Sequence, residues 1–76
     1  MGKLPVVSGR DAVKALAKAG FHQVRQSGSH IVVQKRLPGT TNTLIVPDHA
    51  ELANGTLRAI IRKSGLSVDE FVALLD

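Results

Sequence analysis

The 76-residue sequence lacks cysteine, tryptophan and tyrosine and contains only two phenylalanines. Without cysteine, neither a disulfide framework nor a cysteine-ligated zinc site can supplement the hydrophobic core, so aliphatic packing has to stabilise the fold. Without tryptophan or tyrosine, the aromatic platform on which single-stranded nucleic acids commonly stack is missing. Any recognition of RNA would therefore rest on phosphates, sugars and shape.

Long apolar stretches are absent as well. Every uninterrupted apolar run is far shorter than the ~18 residues that cross a bilayer as a helix. The stretch Leu4-Pro5-Val6-Val7 is also shorter than the core of a secretory signal peptide, which has about 7–15 residues. We therefore expect a cytoplasmic protein that has no contact with a membrane.

The length fits a single domain over residues 1–76, because ordinary domains have roughly 50 residues or more. Hydrophobic residues make up 43% of the sequence and charged residues 21%, which is typical of a folded chain. The net charge is +4, and residues 1–66 carry ten Lys and Arg against three acids. This excess has two interpretations: solvated outer faces of helices, or a surface that neutralises the phosphates of a polyanion.

Helical signals occur towards both ends of the sequence. Ser8-Gly9-Arg10-Asp11 fits a capping box, which predicts a first helix that ends at Gly20. Asn54-Gly55 begins a second helix that Gly65 ends, and Ser67-Val68-Asp69-Glu70 is a second capping box before a short last helix. Apolar residues recur mainly at offsets of three and four, which predicts amphipathic helices. Their apolar positions are Val13, Leu16 and Ala17 in the first helix, Leu57, Ile60 and Ile61 in the second, and Val68, Phe71, Val72, Leu74 and Leu75 in the last.

The middle of the sequence has the β-branched residues and turn formers of an antiparallel meander. Strands are predicted over 21–26, 30–36 and 43–46, joined by the turn Ser27-Gly28-Ser29 and by a loop over 37–42. The pleat of the second strand separates two faces, Ile31, Val33 and Lys35 on one and His30, Val32, Gln34 and Arg36 on the other. Helices that cover one face of a three-stranded antiparallel sheet make an α+β two-layer domain and leave the other face free for function.

His30 is the candidate catalytic residue, since imidazole is the side chain that gives and takes protons near neutral pH. It directly follows Gly28 and Ser29, whose turn has the amides and the hydroxyl to hold a phosphate oxygen. Three strand cations complete the candidate RNA-binding set, namely Arg25, Lys35 and Arg36. The residues alone leave a second interpretation of His30 open, an exposed strand histidine without a chemical role.

Two further histidines, His22 and His49, raise the question of a metal site. Three imidazoles can ligate zinc, but spacings of eight and nineteen residues match no helical histidine pair or short metal loop. We predict no metal and no other cofactor, an exposed strand position for His22, and for His49 a turn position with a structural hydrogen bond or a partner contact. Asp48 and Glu51 lack a third partner for a hydrolase constellation.

Five segments, in this order along the chain, resemble the HicA family, the toxins of HicAB toxin–antitoxin modules. They are Gly20-Phe21, Arg25-Gln26-Ser27-Gly28-Ser29-His30, Val46-Pro47-Asp48-His49, Gly55-Thr56-Leu57-Arg58-Ala59-Ile60-Ile61 and Gly65-Leu66-Ser67-Val68-Asp69-Glu70-Phe71. The resemblance implies a fold like the double-stranded RNA-binding domain, helix, three strands, helix, to which the short C-terminal helix is added. It also implies a ribosome-independent mRNA interferase whose catalytic histidine is His30, preceded by Gly28 and Ser29.

The resemblance further implies a HicB antitoxin that covers the active face and carries the DNA-binding domain, so DNA would meet this protein only through the antitoxin. The mechanism we expect is metal-independent cleavage of mRNA, with His30 as general base on a ribose 2′-hydroxyl or as general acid on the leaving 5′-oxygen. Two other classes stay open: a non-catalytic RNA-binding module of the same fold, and a protein that pairs only with another chain through its exposed sheet face or an edge strand.

Overall fold

A computed structural model of the chain describes residues 4–75. Three helices and three strands follow along the chain as α1 (Gly9–Lys18), β1 (His22–Ser27), β2 (His30–Leu37), β3 (Thr40–Pro47), α2 (Asn54–Ser64) and α3 (Val68–Ala73). The fold is α+β, with the predicted order of helix, three strands, helix and a short C-terminal helix. The predicted bounds of the three helices and of the first two strands are confirmed to within one or two residues.

Both predicted capping boxes are present. The Ser8 hydroxyl accepts a hydrogen bond from the backbone N–H of Asp11 at 3.0 Å, and the Asp11 carboxylate accepts one from the Ser8 N–H at 3.4 Å. Ser67 and Glu70 make the same reciprocal pair at the start of α3. These bonds satisfy backbone donors that have no partner inside a helix, so each box defines where its helix begins.

The sheet is a three-stranded antiparallel meander in which β2 lies between β1 and β3. The prediction of a loop over 37–42 is wrong. Thr40, Thr41 and Asn42 belong to β3 and pair with Leu37, Arg36 and Lys35 of β2. The connection is a two-residue turn at 38–39, where Gly39 has φ +76° and allows the chain to reverse tightly.

All three helices contribute to one core on one face of the sheet. The core consists of buried apolar residues, namely Val7, Ala12, Ala15, Leu16, Phe21, Ile31, Val33, Leu44, Val46, Leu52, Leu57, Ile60, Ile61 and Phe71. The other face of the sheet carries no helix within residues 4–75, and we call it the open face. Its side chains, identified from the strand register, are His22, Arg25, Ser27, His30, Val32, Gln34, Arg36, Thr41, Thr43, Ile45 and Pro47. All of these are exposed or half-buried except Val32.

The helices are short compared with a membrane span. None of the helices within the described part of the chain is both long enough and apolar enough to cross a bilayer.

Candidate active site

His30 lies at the start of β2, where the chain returns from β1. Ser27 pairs with His30 on one side, and Pro47 of β3 pairs with it on the other. The three residues form the last row of the open face, and the His30 side chain is exposed. An imidazole at the rim of a helix-free sheet face is accessible to a macromolecular substrate.

The turn before His30 consists of Gly28 and Ser29. Gly28 has φ +58°, in the left-handed region that favours glycine, and a Cβ built there would meet no atom within 4 Å. Both carbonyl oxygens of the turn accept hydrogen bonds: Gln26 Nε2 donates to Gly28 O at 3.2 Å, and the Asp48 N–H donates to Ser29 O at 2.6 Å. These two hydrogen bonds therefore fix the turn, while Gly28 and Ser29 stay exposed to solvent.

Asp48, which directly follows β3, is the residue that sequence reasoning underestimated. Its carboxylate accepts hydrogen bonds from Arg10 Nε at 3.2 Å and Arg10 Nη2 at 3.4 Å, and from Gln26 Nε2 at 3.3 Å. Because Arg10 is in α1 and Gln26 is in β1, this one carboxylate connects three parts of the fold. Gln26 also holds Gly28, so the network extends to the turn that carries His30. Arg10 and Asp48 are 38 residues apart, and no sequence spacing indicates their contact.

The charge of Asp48 is stabilised by this network. Hydrogen bonding from the Arg10 guanidinium is the main cause that lowers the pKa of Asp48, and desolvation of the carboxylate acts against it. The positive charge of Arg10, the hydrogen bond from Gln26 and the proximity of His49 add to the lowering of this pKa. The folded structure therefore favours the ionised carboxylate of Asp48.

Acid should weaken the network. The native pKa of Asp48 lies below an unfolded value of about 3.9, so its contribution to the free energy of unfolding is complete above that pH and is lost as the pH falls through the native pKa. We expect the difference in free energy of unfolding between wild type and Asp48→Asn to shrink below about pH 4 in urea denaturation experiments. Arg10→Gln should remove the same pH dependence. A difference that stays constant with pH would contradict this assignment.

The three strand cations of the candidate RNA-binding set do not lie together. Arg25 is on the open face one row from His30, about 7 Å along the strand direction. Arg36 is on the same face but six residues along β2, about 20 Å from His30. Lys35 points to the helix-covered face, where its Nζ lies 5.8 Å from the centroid of the Phe21 ring. Of the three, only Arg25 lies near His30.

A β-bulge in β1 explains why Arg25 shares a face with His30. The pairing register shifts between Gln23 and Arg25, so Val24 is an extra residue in the strand. In a regular strand, side chains four residues apart lie on the same face, and Arg25 would point to the same side as Phe21. Phe21 is in the core with 3% of its surface exposed. The bulge reverses the alternation, and Arg25 emerges on the open face.

The remaining histidines lie where the sequence predicted. His22 is exposed at the far end of the open face, where it pairs with Gln34. His49 is exposed in the loop after β3, and its carbonyl oxygen accepts a hydrogen bond from the Gly9 N–H at 2.9 Å. Within residues 4–75, no group of three or more His, Cys, Asp or Glu residues is arranged to hold a metal ion.

A shallow groove of about 230 Å³ lies between α1 and β1. Arg10, Lys14, Gln23 and Gln26 line its polar part, and Val13 and Ile31 line its apolar part. His30 is not among these residues, so the groove and the candidate active site are separate surfaces. Two residues connect them, because Arg10 and Gln26 line the groove and also bind Asp48.

Comparison with known proteins identifies the family. A sequence model of the family described as HicA toxin of bacterial toxin-antitoxin matches residues 9–66. A search of the curated proteins found no match. The matched residues extend from the start of α1 to just beyond α2 and include His30, the turn before it and Asp48, whereas α3 follows the matched region. Because the match covers well over half of the chain, the protein belongs to the HicA toxins of bacterial toxin–antitoxin modules and has an antitoxin as its partner.

Proposed function

We propose that this toxin is a metal-independent mRNA interferase, an endoribonuclease in which His30 transfers a proton, and that a HicB-type antitoxin neutralises it. The observation that carries the proposal is the position of His30: an exposed imidazole beside a positioned turn, on a sheet face that has no carboxylate among its paired residues. A phosphodiester chain can approach such a face without repulsion from acids. Membership of a toxin family supports the same conclusion.

The proposed reaction is a transesterification within the RNA, for which His30 supplies one of the two proton transfers. The ribose 2′-oxygen attacks the adjacent phosphorus, the bond from phosphorus to the 5′-oxygen breaks, and a 2′,3′-cyclic phosphate forms. One proton leaves the 2′-hydroxyl and one joins the 5′-oxygen. His30 serves as the base for the first transfer or as the acid for the second.

Proton transfer by one side chain accelerates a reaction by about 10²–10⁴-fold. Any further rate enhancement has to come from stabilisation of the charge that develops in the transition state. Arg25 is the cation placed to interact with the phosphate that reacts, because it lies one row from His30 on the same face. Gly28 and Ser29 would hold a phosphate oxygen at the exposed side of their turn. Arg36 would bind the RNA backbone farther along β2. Lys35 has no place in this site because it points to the other face.

The antitoxin is proposed to act by covering this face. Arg25 and Arg36 on this face have no ion pair in the part of the chain that the structure describes, so an acidic partner would find unneutralised charge here. A HicB-type antitoxin that covers His30 would exclude mRNA, and any contact with DNA would be made by the antitoxin alone.

The chemistry of the products tests the proposal. Antitoxin-free protein is incubated in EDTA with a long unstructured RNA, and the product ends are identified by mass spectrometry. We expect cleavage with 5′-hydroxyl ends and cyclic or 3′-phosphate ends. Products with 5′-phosphate ends would contradict the mechanism. RNA that is bound with a steep salt dependence but stays intact would instead indicate a non-catalytic binding module.

A further inference from the structure

The open face has an apolar row next to His30. Arg25, Val32 and Ile45 are paired across the three strands, directly beside the row that contains His30. Ile45 is 58% exposed, whereas Val32 in the central strand is only 7% exposed although no helix covers it. Val32 is not part of the core either. Ile45 is therefore the apolar side chain of this row that faces solvent, and Arg25 lies at the opposite end of the row.

The next row of the open face is polar. Gln34 and Thr43 are paired across β2 and β3, and Gln34 Nε2 donates a hydrogen bond to Thr43 Oγ1 at 3.2 Å. This bond orients both side chains and leaves the Gln34 carbonyl oxygen, its second N–H and the Thr43 hydroxyl hydrogen for other partners. The exposed aliphatic side chain of Ile45, followed by an oriented donor and acceptor, offers a nucleobase a contact for its ring and partners for its polar edge, although the aromatic platform common in such sites is missing.

Charge favours a polyanion on this face, and the position of the face beside His30 favours RNA. No Asp or Glu is present in the rows of His30, Val32 and Gln34, and Arg25 supplies a positive charge in the row of Val32. The apolar row is about 7 Å from the row of His30. A base on the apolar row would therefore be a neighbour of the phosphate at His30, and the surface is continuous with the proposed active site.

We infer that the open face is the base-recognition site for single-stranded RNA. The nucleobase beside the cleaved phosphate lies on Ile45, Gln34 and Thr43 contact the edge of that base, and Arg25 binds the phosphate that connects it to the next nucleotide. This inference rests on the proposed function and adds what that proposal lacks, the residues that set the sequence preference of cleavage.

The test compares cleavage-site profiles. The substrate is a pool of short RNAs with randomised bases around one position, and it is cleaved in EDTA by wild type, Ile45→Ala and Thr43→Val. The matched control is Val72→Ala, which shortens an exposed apolar residue of α3. The cleaved ends are sequenced, and kcat/KM is measured on the preferred RNA. We expect Ile45→Ala to lower kcat/KM about tenfold, mainly through KM, as removal of an apolar contact does. Thr43→Val should change the ratio of kcat/KM between bases at one position about tenfold, and Val72→Ala should match wild type.

Failure of the inference and failure of the proposed function give different results. If wild type cleaves RNA and both variants of the open face retain its sequence profile and kcat/KM, the inference is wrong and the proposed function stands. If wild type does not cleave, the proposed function fails, and the same RNAs with 2′-O-methyl groups are used in binding assays. Base-dependent affinity that Ile45→Ala and Thr43→Val reduce would support the inference, and unchanged affinity would overturn it. Loss of antitoxin binding without any effect on RNA would also overturn it, because the face would then be a protein interface.

Discussion

Substitution of His30 by alanine is expected to slow RNA cleavage by about 10²–10⁴-fold, which is the contribution of proton transfer by one positioned side chain. The side chain is exposed, so the free energy of unfolding should change by no more than about 0.5 kcal/mol. A loss of rate without a loss of stability would separate a chemical role from a structural one. The measurement is single-turnover cleavage of an end-labelled RNA in EDTA, together with urea denaturation of each variant.

Two further variants sharpen this experiment. His30→Gln retains a hydrogen-bonding side chain but cannot transfer the proton, so its rate should be as low as that of His30→Ala. His49→Ala removes another exposed histidine, one that lies in the loop after β3 and outside the proposed site, and should cleave like wild type. Cleavage by His30→Ala at the wild-type rate would refute the assignment of His30. An equal loss in His49→Ala would show that the effect is not specific to that position.

Substitution of Gly9 by alanine is expected to destabilise the protein by about 1–3 kcal/mol, the usual cost of overpacking. A Cβ at Gly9 would overlap the carbonyl oxygen of Pro47 and lie 3.1 Å from the Cα atom of Asp48. These are backbone atoms, so no flexible side chain can move aside, and the segment that carries Asp48 would have to shift. Because Asp48 holds Ser29 and contacts Gln26, cleavage should fall as well.

Gly55→Ala is the matched control for Gly9→Ala. Gly55 also lies in the first turn of a helix, but a Cβ there would meet no atom within 4 Å. Alanine should therefore stabilise the protein by about 0.4–1 kcal/mol through the lower entropy of the unfolded chain. Urea midpoints of the two variants should move in opposite directions. If Gly9→Ala unfolds at the wild-type midpoint, the close packing of α1 against the loop after β3 is contradicted.

Local interactions explain why most elements could be predicted. A capping box acts over four residues, so Ser8-Gly9-Arg10-Asp11 and Ser67-Val68-Asp69-Glu70 indicate the starts of α1 and α3 from the local sequence. Gly28 needs only its own positive φ to make the first hairpin turn. The loop predicted over 37–42 was wrong because the polar residues 40–42 have a composition common in loops, while their β structure depends on pairing with a partner strand.

His30, the turn before it and their position on the open face follow from local patterns, because strand alternation and turn chemistry act over a few residues. Tertiary structure alone decided which other residues join them. The bulge at Val24 sends Arg25 to the face of His30, since Phe21 has to enter the core while the end of β1 pairs with β2. Asp48 meets Arg10 only because α1 packs closely against the loop after β3. Such contacts depend on how distant elements pack, and that packing is a property of the whole fold.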